Sequence, residues 1–373
     1  MTDPHDESRY PELMEAINRA SLKKALGVIF SDVKRTARIL AGRPSRVMAG
    51  AGILFHQKKA ARIRKKARAE GLAVPFMMFI SITSGCNLSC SGCYMQQRRM
   101  QPVPEMTLDE LKSVVAQAGE LGISVIGIVG GEPLLREKEI ISLARSFPRM
   151  LFTLNTNGLL IDEEMAEELA DCPNLVPFIS LEGFREQTDR RRGQGVYDRL
   201  LAACSLMNTR ILFYGCAVTV SRNNIREVLD GSFIRTMIAS GARTFIFIQY
   251  VPTKPGTEDL VPTKEQRELL SASIEEFNKK YPAFFIGIPG EMELFGGCLA
   301  AGRGFIHVNP YGDLEPCPIV PVSDVNIRTT SLKEALQSPL LRTIRRNYRS
   351  LHANGRCVLR TDPRWRERLL SMK

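Results

Sequence analysis

Short apolar runs alternate with amphipathic stretches through the middle of this 373-residue chain. The run "VPFMMFISIT" has strand length, and "ISVIGIV", "MLFTLNT", "LVPFISL", "ILFYGCAVTV" and "TFIFIQYV" follow it. Strands that are apolar on both sides suit a parallel sheet covered on both faces. Between them the spacing predicts helices over 107–120, which opens with a Thr107 cap and Glu110 three residues on, and over 137–146, 162–171, 197–207, 224–239 and 263–280. Strand and helix alternate six times, so the expectation is an α/β fold of right-handed βα units, either a partial (β/α)6 barrel or a doubly wound sheet. In a barrel the chemistry sits at the carboxyl ends of the strands.

The flanks read differently. Leu22, Leu26, Ile29, Val33 and Leu40 recur at helical spacing over 11–41, and a second helical stretch over 47–69 stops at Gly71. After about residue 286 the alternation gives way to Gly-rich, Cys-containing sequence. Three parts are expected: a basic helical extension over 1–75, a core over 76–285 and a small separate module over 286–373 with a basic C-terminal helix.

Charge follows the same division. Residues 1–75 carry 16 Lys and Arg against 7 Asp and Glu, residues 341–373 carry 10 against 2, and the rest carries 25 against 31. Basic ends suit an acidic peptide, an anionic membrane surface or nucleic acid, and they read equally as solvated helix faces. The N-terminus lacks the apolar segment of a signal peptide, and no apolar run approaches the roughly 20 residues of a membrane span, so a cytoplasmic location is expected.

Nine cysteines fall into three groups. Cys172, Cys204 and Cys216 stand singly among apolar neighbours and read as core thiols. Cys86, Cys90 and Cys93 lie together in "SGCNLSCSGCY", directly after the first strand, where a barrel site begins. Soft thiolates select Fe-S clusters, zinc or Cu(I), and a [4Fe-4S] cluster normally takes four cysteines. No fourth lies nearby, which would leave one iron open to an exogenous ligand. A structural zinc knuckle needs paired units with four ligands, and no partner pair exists.

The spacing C-x3-C-x2-C followed by Tyr94 resembles the signature of the radical S-adenosylmethionine (SAM) superfamily. The resemblance implies that Cys86, Cys90 and Cys93 are catalytic and hold a [4Fe-4S] cluster whose open iron binds SAM. It further implies reductive cleavage of SAM to methionine and a 5′-deoxyadenosyl radical that abstracts hydrogen, with a flavodoxin- or ferredoxin-type electron donor. "GGEP", Gly130, Gly131, Glu132 and Pro133, resembles the family motif that receives the amino group of SAM. Its glycines let a ligand approach the backbone. "TLNTNG" ends the third strand and offers Asn155 and Asn157, although an Asn-Gly turn accounts for Asn157 as well. "SLEG" with "FREQTDRRRGQGVYDRL" resembles the SPASM-containing members, which places Ser180 and Arg192 on the SAM carboxylate. Glu182 and Thr188 depart from the commoner Asp and His, and no role is carried to them. Thr219 and Asn223 are candidates for the ribose.

"CLAAGRGFIHVNPYGDLEPCP" reads C-x13-G-x4-C from Cys298 through Gly312 to Cys317, across an expected hairpin over "FIHVNPYGDLEP". It resembles the opening of a SPASM domain, and Cys357 fits the closing element, while a further cysteine-rich stretch is absent. A truncated, twitch-like module with a second, auxiliary [4Fe-4S] cluster on Cys298, Cys317 and Cys357 is implied. Its last ligand is substrate, or His307, His352, Asp313 or another residue; a zinc site of three cysteines and a histidine is the alternative. Sulfatase-maturating relatives place an Asp after the equivalent of Cys317, where this chain has Pro318, which argues against that oxidation.

The resemblance leaves the substrate open. A peptide or protein maturase suits the auxiliary module and basic ends. A small-molecule, cofactor or lipid-precursor enzyme, with the N-terminal helices on a membrane surface, is the alternative. A non-catalytic Fe-S electron carrier would leave "GGEP" and Ser180 with Arg192 unexplained. A nucleic-acid substrate is not expected, since no RNA-binding module is recognisable.

Overall fold

The computed structural model describes residues 45–98, 101–288, 297–351 and 357–371. The helical stretch expected over 11–41 and the candidate ligand His352 lie outside the described residues. The chain enters on α1 (Ser45–Ala69) and then builds β1 (Met77–Ser81), α2 (Leu108–Leu121), β2 (Val125–Val129), α3 (Glu137–Ser146), β3 (Leu151–Thr156), α4 (Glu163–Asp171) and β4 (Leu175–Leu181). It continues through α5 (Arg185–Arg192), α6 (Val196–Thr209), β5 (Gly215–Val220), α7 (Ile225–Val228), α8 (Gly231–Ala239), β6 (Thr244–Gln249), α9 (Lys264–Lys280) and β7 (Phe284–Ile288). The late part holds β8 (Phe305–Val308), β9 (Leu314–Glu315), α10 (Leu332–Ala335), α11 (Pro339–Arg346), α12 (Val358–Thr361) and α13 (Pro363–Leu370).

The strands of the described residues join one sheet in the order β7-β6-β5-β4-β3-β2-β1-β8-β9. From β1 to β7 each strand pairs in parallel with the one before it, as successive right-handed βα units require. The six expected strands are present, and a seventh, "FFIGI", extends the alternation. The late hairpin is not set apart from this sheet. Strand β8 lies parallel to β1, pairing Met77 with Phe305 and Ile80 with Val308, and β9 folds back antiparallel on β8. The helix expected over 224–239 is broken at Asp230, whose carboxylate caps α8 by accepting from Ser232 N.

Helices cover the sheet with short apolar faces. Thr107 and Glu110 form the expected capping box of α2, which ends at Gly122 in the left-handed region, φ 91°. Leu111, Val114, Val115 and Ala118 of α2 are buried against the strands. Helix α1 is clamped at the amino end of β2: Gln57 Nε2 donates to Ser124 O at 3.0 Å, and Ser124 Oγ donates back to Gln57 Oε1 at 2.6 Å. Among the described residues no helix is long and apolar enough to cross a membrane. Cys172, Cys204 and Cys216 are buried in the core, as expected.

Candidate active site

The loop that follows β1 carries the first three cysteines, and it is fixed before it reaches them. Ser84 donates from N and Oγ to Glu105 Oε1 at 2.7 and 2.6 Å, and Gly85 N donates to Thr83 Oγ1 at 3.1 Å. The segment at the end of β2 then runs alongside it, with Gly131 N donating to Thr83 O at 2.9 Å and Glu132 N to Gly85 O at 2.8 Å. This explains the paired glycines. A Cβ on Gly130 would meet Thr83 O at 2.5 Å, and one on Gly131 would meet Gly85 O at 1.9 Å. What approaches them is the cysteine loop's own backbone, and the strand end and the loop form one surface.

Glu132 is almost wholly buried, at 1% exposure. Its carboxylate accepts from Leu134 N at 3.0 Å, Thr156 Oγ1 at 2.7 Å and Asn157 N at 2.7 Å, so the side chain locks β2 to β3. Burial pushes its pKa up, against the pull of those donors. Asn157 reaches from the same turn to the cysteine loop, donating from Nδ2 to Asn87 Oδ1 at 2.6 Å. Its place in an Asn-Gly turn was the only signal the chain offered for this tie. Asn155 is half-buried on β3, and Pro133 opens a short 3-10 turn.

Cys86 is exposed, and Cys90 and Cys93 are half-buried. Cys93 N donates to Cys90 O at 3.2 Å around Gly92, which has φ 69°. A Cβ on Gly92 would stand 2.5 Å from Tyr250 Oη, so the end of β6 presses on this turn. Burial pushes the Cys86 thiol up, and the other two thiols and Glu132 add to it. Burial also raises Cys90, but Arg192 and Arg191 pull it back toward the thiolate. Tyr94 sits under the Arg98 guanidinium, 5.9 Å from its ring centroid.

Those arginines meet on Glu182, a buried carboxylate just past β4. Arg192 Nε and Nη2 donate to its two oxygens at 2.5 and 2.7 Å, and Arg191 Nη1 donates at 2.6 Å. Burial alone would raise the Glu182 pKa, yet the two guanidinium groups outweigh it and hold the carboxyl below its ordinary value. Arg191 also ties α5 to the cysteine loop, donating from Nε to Ser91 O at 3.1 Å while Ser91 N donates to Arg191 O at 2.9 Å. Of the pair expected on a ligand carboxylate, Ser180 is half-buried on β4, and Arg192 presents its fork to Glu182. Asn223 is exposed. It is the neighbouring Asn224 that joins strand ends, donating from Nδ2 to Glu182 O and Thr219 O, both at 2.8 Å.

The late cysteines gather on the other side of β1. Cys317 is buried, and Cys298 and Cys357 are half-buried. Burial pushes Cys317 well up, with Cys357 and Cys298 adding their charge; burial and Cys298 push Cys357 up to about 12. Burial raises Cys298 as well, and the Ala300 backbone and Arg303 pull it back. Among the described residues no His, Cys, Asp or Glu group converges tightly enough for a single metal ion. A cluster asks less of convergence, since each thiolate meets a different iron.

His307 is fully buried and both ring nitrogens are engaged: Nε2 lies 2.8 Å from Ser81 Oγ and Nδ1 lies 2.7 Å from Glu315 Oε2. Burial lowers the ring's pKa, so it carries one proton. Glu315 stays ionised despite its burial because His307 and Arg98 hold its pKa down. A carboxylate only accepts, so the proton is on Nδ1, and Nε2 accepts from the Ser81 hydroxyl. Asp313 is likewise committed, accepting from Gln101 at 2.7 Å and from Asn309 and Asn326, both at 2.9 Å.

Comparison with known proteins agrees with this geometry. The profile described as Radical SAM superfamily matches residues 80–228, from β1 to α7. The AdoMet-dependent heme synthase of Methanosarcina barkeri is 26% identical over 70% of this chain and 81% of its own length. The mycofactocin maturase MftC of Mycolicibacterium smegmatis is 27% identical over 67% of this chain and 66% of its own. Among solved structures, SuiB of Streptococcus suis bound to S-adenosylmethionine superposes with a TM-score of 0.63 at 19% identity, over 77% of this chain and 72% of that one. With the cysteine loop and "GGEP" side by side at the carboxyl ends of β1 and β2, residues 80–228 are a radical SAM domain, and the chain is an enzyme.

Proposed function

We propose that Cys86, Cys90 and Cys93 hold a [4Fe-4S] cluster whose remaining iron takes SAM, and that the enzyme uses the resulting radical chemistry to modify a peptide. The observation that carries the first part is the joining of the three-cysteine loop to the glycine edge of β2, with no fourth cysteine on that loop. When bound, the cluster supplies one electron to SAM, breaking its C5′–S bond to give methionine and a 5′-deoxyadenosyl radical that takes a hydrogen atom from the substrate.

The chain's own residues hold the ligand. The backbone of Gly130, Gly131, Glu132 and Pro133 meets the amino group of SAM, while the Glu132 side chain holds that edge in place from behind. Ser180 and Arg192 face the SAM carboxylate; because Nε and Nη2 of Arg192 are held by Glu182, it is Nη1 and the net charge that serve. Tyr94, Asn155 and Thr219 line the remaining approach. Gln249, Tyr250 and Thr253 bring buried polar atoms with no hydrogen-bond partner to the end of β6, a place for polar groups of the substrate.

Cys298, Cys317 and Cys357 hold the auxiliary cluster of a twitch-like module over 286–373. His307 and Asp313 are committed to hydrogen bonds, which favours substrate as the fourth ligand. A flavodoxin- or ferredoxin-type protein supplies electrons in the cytoplasm, and α1, with Met48 and Phe55 exposed among its basic residues, is the part suited to a membrane surface.

Support for a peptide comes from relatives that include MftC and the PqqA peptide cyclase of Rhizobium meliloti, 26% identical over 69% of this chain and 72% of its own length. A small-molecule reading is favoured by the heme synthase relative, and basic ends suit the carboxylates of either substrate. The test begins with iron and sulfide after anaerobic reconstitution. Wild type should hold about eight irons, falling to about four in the Cys86/Cys90/Cys93→Ala triple variant, with 5′-deoxyadenosine formation abolished. Formation of 5′-deoxyadenosine stimulated by iron coproporphyrin and by no candidate peptide would replace the peptide reading with the second.

A further inference from the structure

One buried polar chain links the two cysteine groups, and it holds the first loop at both ends. Ser81, the last residue of β1, stands five residues before Cys86, and Arg98 stands five residues after Cys93. Both are tied to the same late hairpin. Ser81 Oγ meets His307 Nε2 at 2.8 Å, and His307 Nδ1 meets Glu315 Oε2 at 2.7 Å. The Glu315 carboxylate then receives Arg98 in a two-point fork, Nη1 to Oε1 and Nη2 to Oε2, both at 2.8 Å. Arg98 Nη2 also donates to Pro318 O. Glu315 lies two residues before Cys317 and Pro318 directly after it, so the fork brackets the second cysteine group at its centre.

The ion pair is deeply placed, with side-chain exposures of 10% for Arg98 and 3% for Glu315. Such a pair is poor evidence of stabilisation, because desolvation offsets most of its attraction; its better attested use is to fix register. An apolar contact at this place would hold the two segments together and let them slide. A planar fork on a carboxylate accepts one alignment only.

The geometry points to Arg98 and Glu315 as positioning residues that set the separation and relative orientation of the two iron-sulfur sites. This rests on the reading that Cys298, Cys317 and Cys357 hold a second cluster. The Ser81 and His307 end of the chain fixes the start of the first loop, and the Arg98 fork fixes its finish, against one rigid hairpin.

The test uses the full chain, reconstituted anaerobically and reduced with dithionite, as wild type and as Arg98→Gln, Arg98→Lys and Glu315→Gln. Iron per chain is measured first and electron paramagnetic resonance second. Wild type should hold about eight irons and show spectral broadening from magnetic interaction between the clusters. Arg98→Gln and Glu315→Gln should keep the iron and each cluster's own g values while that broadening changes. Arg98→Lys, with the charge but not the fork, should recover it only in part. If Arg98→Gln does not fold, Ser81→Ala at the far end of the chain should give a smaller change in the same direction. Full iron in every variant with broadening identical to wild type overturns the inference and leaves the second cluster standing. About four irons in wild type overturns the second cluster, and the inference with it.

Discussion

A β-carbon on Gly131 would stand 1.9 Å from the carbonyl oxygen of Gly85. The glycine belongs to the end of β2 and the carbonyl to the cysteine loop, so the contact is where those two segments touch. The obstructing atom is backbone and cannot swing aside. Gly131→Ala should therefore displace the loop, costing about 1–3 kcal/mol of stability and the iron of the first site. Iron content together with the thermal midpoint checks this, and an alanine variant with unchanged iron would show that the loop is not so closely held.

Glu182 offers a sharper contrast. Replacing it by Gln leaves the deeply placed Arg192 and the half-buried Arg191 beside a neutral partner, and the expected loss is about 3 kcal/mol. Glu186→Gln removes one side of an exposed pair with Arg190 one turn away and should shift the thermal midpoint hardly at all. Unfolding of the two variants side by side decides whether Glu182 is the hub described.

Tyr250 is buried with an unpartnered hydroxyl, pressed on the turn at Gly92. If the hydroxyl serves only packing, its removal relieves a cost of about 1–3 kcal/mol. We expect Tyr250→Phe to have an equal or higher thermal midpoint and roughly tenfold slower substrate-dependent 5′-deoxyadenosine formation, about 1.4 kcal/mol in the barrier. A variant as fast as wild type would remove Tyr250 from the substrate site.

His56 on α1 predicts a pH effect. Burial first, then Lys59, Arg149 and Arg64, hold its pKa below the ordinary 6.5, and its Nε2 is buried without a partner. The unfolded chain takes up a proton near 6.5 that the folded chain resists. Stability is thus full above that value and falls as the pH drops beneath it. The thermal midpoint should decline between about pH 7.5 and about pH 5.5, and His56→Gln should flatten the decline.

The strands and helices of the core were legible because both periods are strong there, and the capping box at Thr107 and Glu110 fixed a boundary by local chemistry alone. What escaped was non-local or small. The strand "FFIGI" is too short for its period to stand out before Gly and Pro. Asp230 and Gly231 split a helix that the apolar spacing carries straight through. Cysteine spacing located the first loop, but no pattern in "QQRRM" tells that Arg98 is buried, because the reason lies with Glu315, 217 residues away. Glu182 was visible as a departure from a motif, and its role as the seat of two arginines became visible only with α5 folded back over the loop. The hairpin around Gly312 was expected as a hairpin; its pairing with β1 was not, since apolar strands suit a parallel sheet without naming which strand lies beside which.

That pairing also orders events in time. Ser81 and His307 are 226 residues apart, so β1 leaves the ribosome long before the strand that flanks it. At 5–20 residues per second the gap is roughly ten to fifty seconds. Through that interval β1 has a bare edge, and the cysteine loop has neither of its ties to the hairpin. Contacts this distant also slow folding, since loop closure must precede any gain from them. Final placement of the cysteine loop thus waits on the last fifth of the chain, and a protein truncated before residue 305 is expected to lose iron at cysteines more than two hundred residues upstream of the cut.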